Sequence, residues 1–417
     1  MNKRSVDETA LRECFGMHPI SSAGPGTILR DIPLLMEAIG PQGVATKSHQ
    51  GNLPAAMLSD LNARLTHPLE IHVNRALLRD YPNLAGLFLL LRVMGLAVAD
   101  KGRVRIEPAV QARWEALNPT EQYFALLEAW LLRASGDMLG GGQRFPNFMQ
   151  LQGNLLFLAH QLSDHWRSFP EDCHIYGMFD GISAWNVQLQ TLFGLVEVQP
   201  RPLAGRQFPS RAWGMEKARR TPWGGAVAAV VLTFLKVRTT ADLMLAEQPP
   251  DAGFGYLQPA FQPYFPDWQR RFALAEAPAR EGTFVFKASL NPRWHGSTAW
   301  HRLAVPHSST LDELANAVLR AFAFDNDHLY QFRYRDHLGK TRVYNHPFAH
   351  EGPDGTEITV GESGLPVKEV LSFRFDFGDD WRFLLRLEQI EPSKGDRQRI
   401  VLLESHGKNP RQYPAYD

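Results

Sequence analysis

From Thr283 onward, apolar and polar residues alternate. The segments TFVFKASL, TAWHRLAV, HLYQFRYRD, VLSFRFDF and DWRFLLRLEQI each carry the period of two that predicts a half-buried strand. One helical interval, LDELANAVLRAF, interrupts them, with Ser309 or Thr310 as its cap. A hairpin is expected through GKTRVYN, and residues 352–364 read as a polar turn region. The tail GKNPRQYPAYD reads as irregular. This pattern predicts an α+β domain with a largely antiparallel sheet over 282–417.

The preceding chain has helical spacing instead. Asp31–Ile39 predicts a short helix with Pro33 in its first turn, and Thr46–Leu65 a turn followed by a helix. Asn83–Met94 predicts a strongly apolar helix, followed by a hairpin around Asp100, Lys101 and Gly102. A further helix opens at Asn118, with Thr120 as its expected N-cap. Helix, helix, hairpin, helix is the order of a winged-helix module.

The order recurs. Phe148–His165 and Gly181–Phe193 predict helices, then a strand, a long Pro/Gly wing, a strand over Ala212–Ala218 and a helix over Gly225–Leu235. GLVEV…RTPWGGA parallels GLAVA…RIEPAVQA, which points to a second winged-helix-like unit. The fold class expected is multidomain, with a mainly α, winged-helix-like N-terminal half and a C-terminal α+β domain. Five segments follow: a polar, extended leader (1–27), two helical domains (28–140 and 141–247), a Pro/aromatic connector (248–281) and the β-rich domain (282–417).

Composition adds bounds. The 417 residues include 44 Lys plus Arg and 44 Asp plus Glu, so no global field drives the chain onto a polyanion. Any nucleic-acid site must be a local patch. Two cysteines, Cys14 and Cys173, are too few for a disulfide scaffold or a Cys-based zinc site. The charged N-terminus lacks a following apolar core, and the longest apolar run, Leu84–Val98, is broken by Gly86, Arg92 and Gly95. A cytoplasmic protein without membrane association is expected.

The densest chemistry is FRFDFGDDW, Phe373–Trp381. Asp376 and Asp379 could converge across a strand–turn–strand and hold a divalent cation, with Asp380 and His328 as further ligands. Equally, Asp and Gly are ordinary turn formers, and an Asp side chain bonds amides two residues on. His328 with Asp376 and Asp379 would suit metal-assisted hydrolysis, although no histidine pair has the HExxH spacing. Trp300, Tyr330 and Trp381 belong to an aromatic set expected to be mainly core, any exposed part of which could stack bases beside Arg302, Arg333, Arg335, Arg374 and Arg382. In the second hairpin, Lys217, Arg219 and Arg220, near Arg206 and Arg211, form a basic wing suited to phosphate contact or to a solvated face.

Two resemblances follow from these residues. TKSHQGNLP, GLAVADKGRVRI and EQYFALLEAWL resemble winged-helix-like segments of a helicase-associated bacterial family over roughly residues 30–135. FVFKASL, Trp300-His301-Arg302, TLDELANAVLRAFAFDNDHLYQF, FRFDFGDDW and GKNPRQYP resemble the plasmid-Ri ORF-three-like family, also labelled TnpR-like passenger proteins of insertion sequences, over roughly 282–413. Two positions depart from that family: His301 separates the strand-two Trp from its Arg, and Asn409-Pro410-Arg411-Gln412-Tyr413 lacks the relatives' closing acidic pair. The resemblance implies association with mobile elements but no settled activity. The expectation is a non-enzymatic binding or regulatory protein, without a cofactor, whose partner is nucleic acid or protein. Its binding residues would include Trp300, Arg302, Tyr330, Gly378, Trp381, Lys217, Arg219 and Arg220. The alternative is a metal-dependent hydrolase or nuclease using His328 with Asp376 and Asp379.

Overall fold

The computed structural model describes residues 7–48, 51–71, 73, 75–100, 102–139, 148–169, 183–201, 213–237, 239, 242, 254–274, 279–291, 296–392 and 399–413. It divides into two compact units: residues 1–98 with 103–274, and residues 275–417 with 99–102.

The first unit begins with a helix where an extended leader is expected. Helix α1, Glu8–Met17, is N-capped by Asp7, whose carboxylate accepts the amides of Thr9 and Ala10, and it buries Leu11 and Phe15. Next come α2 (Ile28–Ile39), β1 (Val44–Ala45), α3 (Leu58–Arg64), α4 (Pro82–Val93), β2 (Ala97–Asp100) and β3 (Arg103–Ile106). Every residue of α4 is buried, as an all-round apolar helix requires. The three strands form a sheet in the order β1-β3-β2. After α5 (Pro108–Glu115), α6 (Pro119–Glu128) starts at Asn118, not at Thr120. The Asn118 side chain accepts the Glu121 amide and the Glu121 carboxylate accepts the Asn118 amide, a reciprocal capping box. The Thr120 hydroxyl donates instead to Asp267, 2.5 Å away.

The second half of this unit repeats the arrangement. It runs α7 (Phe148–Leu156), β4 (Arg167–Ser168), α8 (Ala184–Leu192), β5 (Val196–Pro200) and β6 (Met215–Arg220), with sheet order β4-β6-β5. The repeat extends to single hydrogen bonds. Gly95 and Gly194, both at positive φ, enter the two hairpins. The Glu107 amide bonds the Leu96 carbonyl and the Thr221 amide the Leu195 carbonyl, closing each hairpin just before Pro108 or Pro222 starts a helix. Helix α9, Pro222–Phe234, follows. The expected wing at 202–212, including Arg206 and Arg211, lies outside the described residues.

Residues 254–274, expected as a connector, are core of this unit. Phe124 of α6 stacks on Trp268 at 4.3 Å and meets Phe261 and Phe265. Glu128, also on α6, accepts the amides of Gly255 and Leu257 at 2.6 and 2.7 Å.

The second unit is one antiparallel sheet with a helix on it. Its strands are β7 (Thr283–Leu290), β8 (Trp300–Pro306), β9 (Tyr330–Arg335), β10 (Thr341–Asn345), β11 (Val370–Phe375), β12 (Trp381–Glu391) and β13 (Val401–His406). Their order is β10-β9-β11-β12-β7-β8-β13. The helix Leu311–Phe322 begins in a capping box between Thr310 and Glu313 and ends at Ala323 in the left-handed region. Its apolar face and one face of the sheet form the core, including Phe284, Phe286, Leu314, Val318, Phe332, Phe373 and Phe383. Strand β13 pairs with β8 and carries no apolar/polar alternation in its burial, every residue being exposed. No helix among the described residues is long and apolar enough to cross a membrane.

Candidate functional site

The period of two that buries Phe373, Phe375, Phe383 and Leu385 turns the residues between them to the other face of the sheet. Cross-strand register places those residues in rows. Arg374 stands opposite Arg382 on β12. Further along, Arg386 stands opposite Lys287 on β7, and Lys287 opposite Arg302 on β8. On β9, Arg333 lies opposite Ser372 and is exposed, and Arg335 follows two residues on. Sequence reasoning named Arg302, Arg333, Arg335, Arg374 and Arg382 but missed Arg386 and Lys287. The signal was present: Arg382 and Arg386 lie four apart on one strand, hence on one face.

Some of this charge is compensated locally. Asp380 accepts Nε of Arg374 and, at 2.9 Å, Nε of Arg382. These bonds, Arg382's foremost, hold the Asp380 carboxyl below the usual carboxylate range. Arg302 bonds Glu388 at 2.9 Å and reaches Glu404 at 3.5 Å. The Lys287 ammonium sits 3.9 Å from the centre of the Trp300 ring, which stacks on His406.

At one end of this face lies the FRFDFGDDW turn. Asp376 and Asp380 both have positive φ, 52° and 54°, a conformation that costs a non-glycine residue of order 1 kcal/mol each. Hydrogen bonds hold it. Asp376 Oδ1 accepts the amides of Gly378 (2.9 Å) and Asp379 (3.3 Å), and the Asp380 amide bonds the Asp376 carbonyl at 2.7 Å. Asp379 thus contributes its N–H to the turn. Phe377, at its tip, is 43% exposed, with the Arg374 guanidinium 4.7 Å from its ring centre.

The same end gathers the other diagnostic segments. His328 Nε2 is 3.5 Å from Asp376 Oδ2 and 4.0 Å from Asp327 Oδ1. Tyr413 donates to Asp327 at 2.6 Å, which lowers the Asp327 pKa and pushes the Tyr413 hydroxyl up to about 12. Gln412 receives the Asp325 amide at 2.6 Å. Buried His301 is held on both sides, by Ser405 at its Nδ1 and by Asn409 Oδ1 at its Nε2. Asn409 donates its NH2 to the Ala321 carbonyl, which leaves its oxygen for His301. That network assigns the proton to Nε2 and makes Nδ1 the acceptor of the Ser405 hydroxyl.

Other expected residues fall elsewhere. Tyr330 is fully buried and donates to Asp312 at 2.6 Å; burial foremost, with the bond to Asp312, pushes its pKa up. Trp381 packs edge-on against Phe324 within the core. Gly378 is exposed. Among the described residues, no group of three or more His, Cys, Asp or Glu side chains could hold a metal ion. Of the expected ligands, Asp376 has one oxygen taken by the Gly378 and Asp379 amides and the other 3.5 Å from His328, while Asp380 accepts from two guanidinium groups. In the first unit, Arg219 pairs with Glu197 and lies over Trp166, and Arg220 caps carbonyls of Leu158 and Ala159. Lys217 is half-buried on β6.

Comparison with known proteins gives a similar solved structure and a family match. A protein of unknown function from Methanosarcina mazei Go1, solved by crystallography, is similar at 21% identity over 30% of this chain and 70% of its own, with a TM-score of 0.27. No curated protein matches the chain. Residues 283–412 match the family described as plasmid pRiA4b ORF-3-like protein. The β-rich unit built from Thr283 onward is therefore the part of the chain that matches the plasmid pRiA4b ORF-3-like family, as its motifs lead one to expect.

Proposed function

We propose that the protein binds nucleic acid without catalysing a reaction, and that the sheet face opposite the helix Leu311–Phe322 is its contact surface. One observation carries this reading: cations stand directly opposite cations on neighbouring strands, Arg374 with Arg382, Arg386 with Lys287, and Lys287 with Arg302. Like charges placed so oppose sheet pairing by roughly 0.2–1 kcal/mol per pair. A phosphodiester backbone laid across the rows turns that repulsion into attraction and releases counterions. With the chain's charges balanced, the effect is local to such a patch and not a global field.

The first unit supports the same reading. Its twofold helix–strand–helix–hairpin order, with the third strand central in each sheet, supports reading it as winged-helix-like. The family description connects the second unit with plasmids, where a nucleic-acid partner is at hand. A gel-shift titration at low and at high salt tests the reading. Binding at low salt that weakens steeply at high salt is expected; no shift at low salt refutes it.

A further inference from the structure

Phe377 is the feature that the cation rows leave unexplained. A large aromatic ring stands exposed at the tip of a turn that holds two aspartates in the left-handed region. Packing does not require it there. The turn is pinned from both ends, by Asp376 through the Gly378 and Asp379 amides and by Asp380 through Arg374 and Arg382. The turn that carries the ring is therefore ordered before any ligand arrives, so binding need not order its backbone. Arg374 lies against it, so a cation and an aromatic plane are presented together beside the first cation row.

We infer that Phe377 is a base-stacking platform and that the site takes single-stranded nucleic acid in preference to duplex. The inference rests on the nucleic-acid reading above and adds its substrate class. Phosphates account for the cations but give an exposed ring nothing to do. Unpaired bases do, because every base has a π-face, whereas duplex bases are stacked on one another. From β11 to β8 the cation rows cross three strand spacings, roughly 14 Å at ~4.8 Å each, enough for a few extended nucleotides. The chemistry is shared by DNA and RNA strands.

The test is fluorescence anisotropy of the full chain with labelled oligothymidine, oligouridine and a hairpin duplex, comparing wild type with Phe377→Ala, Phe377→Trp and Arg386→Gln. The expected result is tighter binding of either single strand than of the duplex. Phe377→Ala should lose roughly 5- to 100-fold on single strands, change little on the duplex, and keep the wild-type salt dependence. Phe377→Trp should restore the affinity, which separates loss of stacking from loss of the turn. Arg386→Gln should weaken single strand and duplex alike. Equal affinity for both forms, or single-strand binding unchanged in Phe377→Ala, overturns the inference while leaving nucleic-acid binding intact. Absence of binding to all three probes overturns both.

Discussion

Arg374 and Arg382 face one another across β11 and β12, and the Asp380 carboxylate two residues before Arg382 accepts from both. The turn therefore carries its own counterion for the repulsion its flanking strands create. It also explains why a non-glycine residue persists at φ 54°. Replacing Asp380 by Ala should lower the stability of the unit by about 1–2 kcal/mol, because two guanidinium groups lose a charged acceptor. Chemical denaturation of wild type and variant measures it. The Asp380 carboxyl is depressed in the folded state, so its contribution is present above the ordinary carboxylate pKa of 3.8 and is lost as pH falls below that. The gap between wild type and Asp380→Ala should narrow as pH falls below 3.8; a gap that widens under acid would contradict the pairing.

The closing tail is held by a buried histidine. Asn409→Ala removes the acceptor of His301 Nε2 and the donor to the Ala321 carbonyl. A buried donor left without a partner costs about 1–3 kcal/mol. Trypsin should cleave after Lys408 and Arg411 faster in the variant than in wild type. Equal cleavage rates would show that the tail is held some other way.

Glu128 makes the first unit sensitive to pH. Burial raises its pKa to about 7, against the pull of the Gly255 and Leu257 amides and then of Arg271 and Arg133. A carboxyl raised above its unfolded value of 4.5 binds more protons folded than unfolded between the two values. Stability from this group therefore falls as pH rises from about 4.5 to about 7. Glu128→Gln resembles the protonated form, so the advantage of wild type over the variant should shrink across that interval in thermal unfolding. An advantage that grows with pH would mean that the charged form is the favoured one.

Much of the architecture was legible because local patterns were unambiguous. Period-two alternation located β7, β8, β9, β11 and β12, and the Gly-Leu entry with Pro exit exposed the internal repeat. Strand β13 escaped, since its exposed run VLLESH pairs at an edge without alternating burial. The leader escaped because a single amphipathic turn, Leu11 and Phe15, sits in a polar stretch and is stabilised by rings distant in sequence, such as Trp223 and Phe265. The aromatic-rich stretch before Thr283 was readable as packed but not as core of the first unit, because its partner Phe124 lies far upstream. At the site, the residues of FRFDFGDDW were evident, but whether carboxylates face a metal, an amide or an arginine depends on register, which the sequence does not state. Register also decided that Arg386 and Lys287 join Arg302.

Contact between the cation rows and phosphates is read out by salt dependence. The most direct test is the slope of log affinity against log salt concentration for a labelled single strand, in wild type and in the double variant Arg333→Gln/Arg386→Gln. Both residues lie on exposed sheet positions. If each contacts a phosphate, the slope should become shallower by about 0.7 per residue removed while the fold is retained. An unchanged slope, or wild-type affinity that does not vary with salt, would contradict the account.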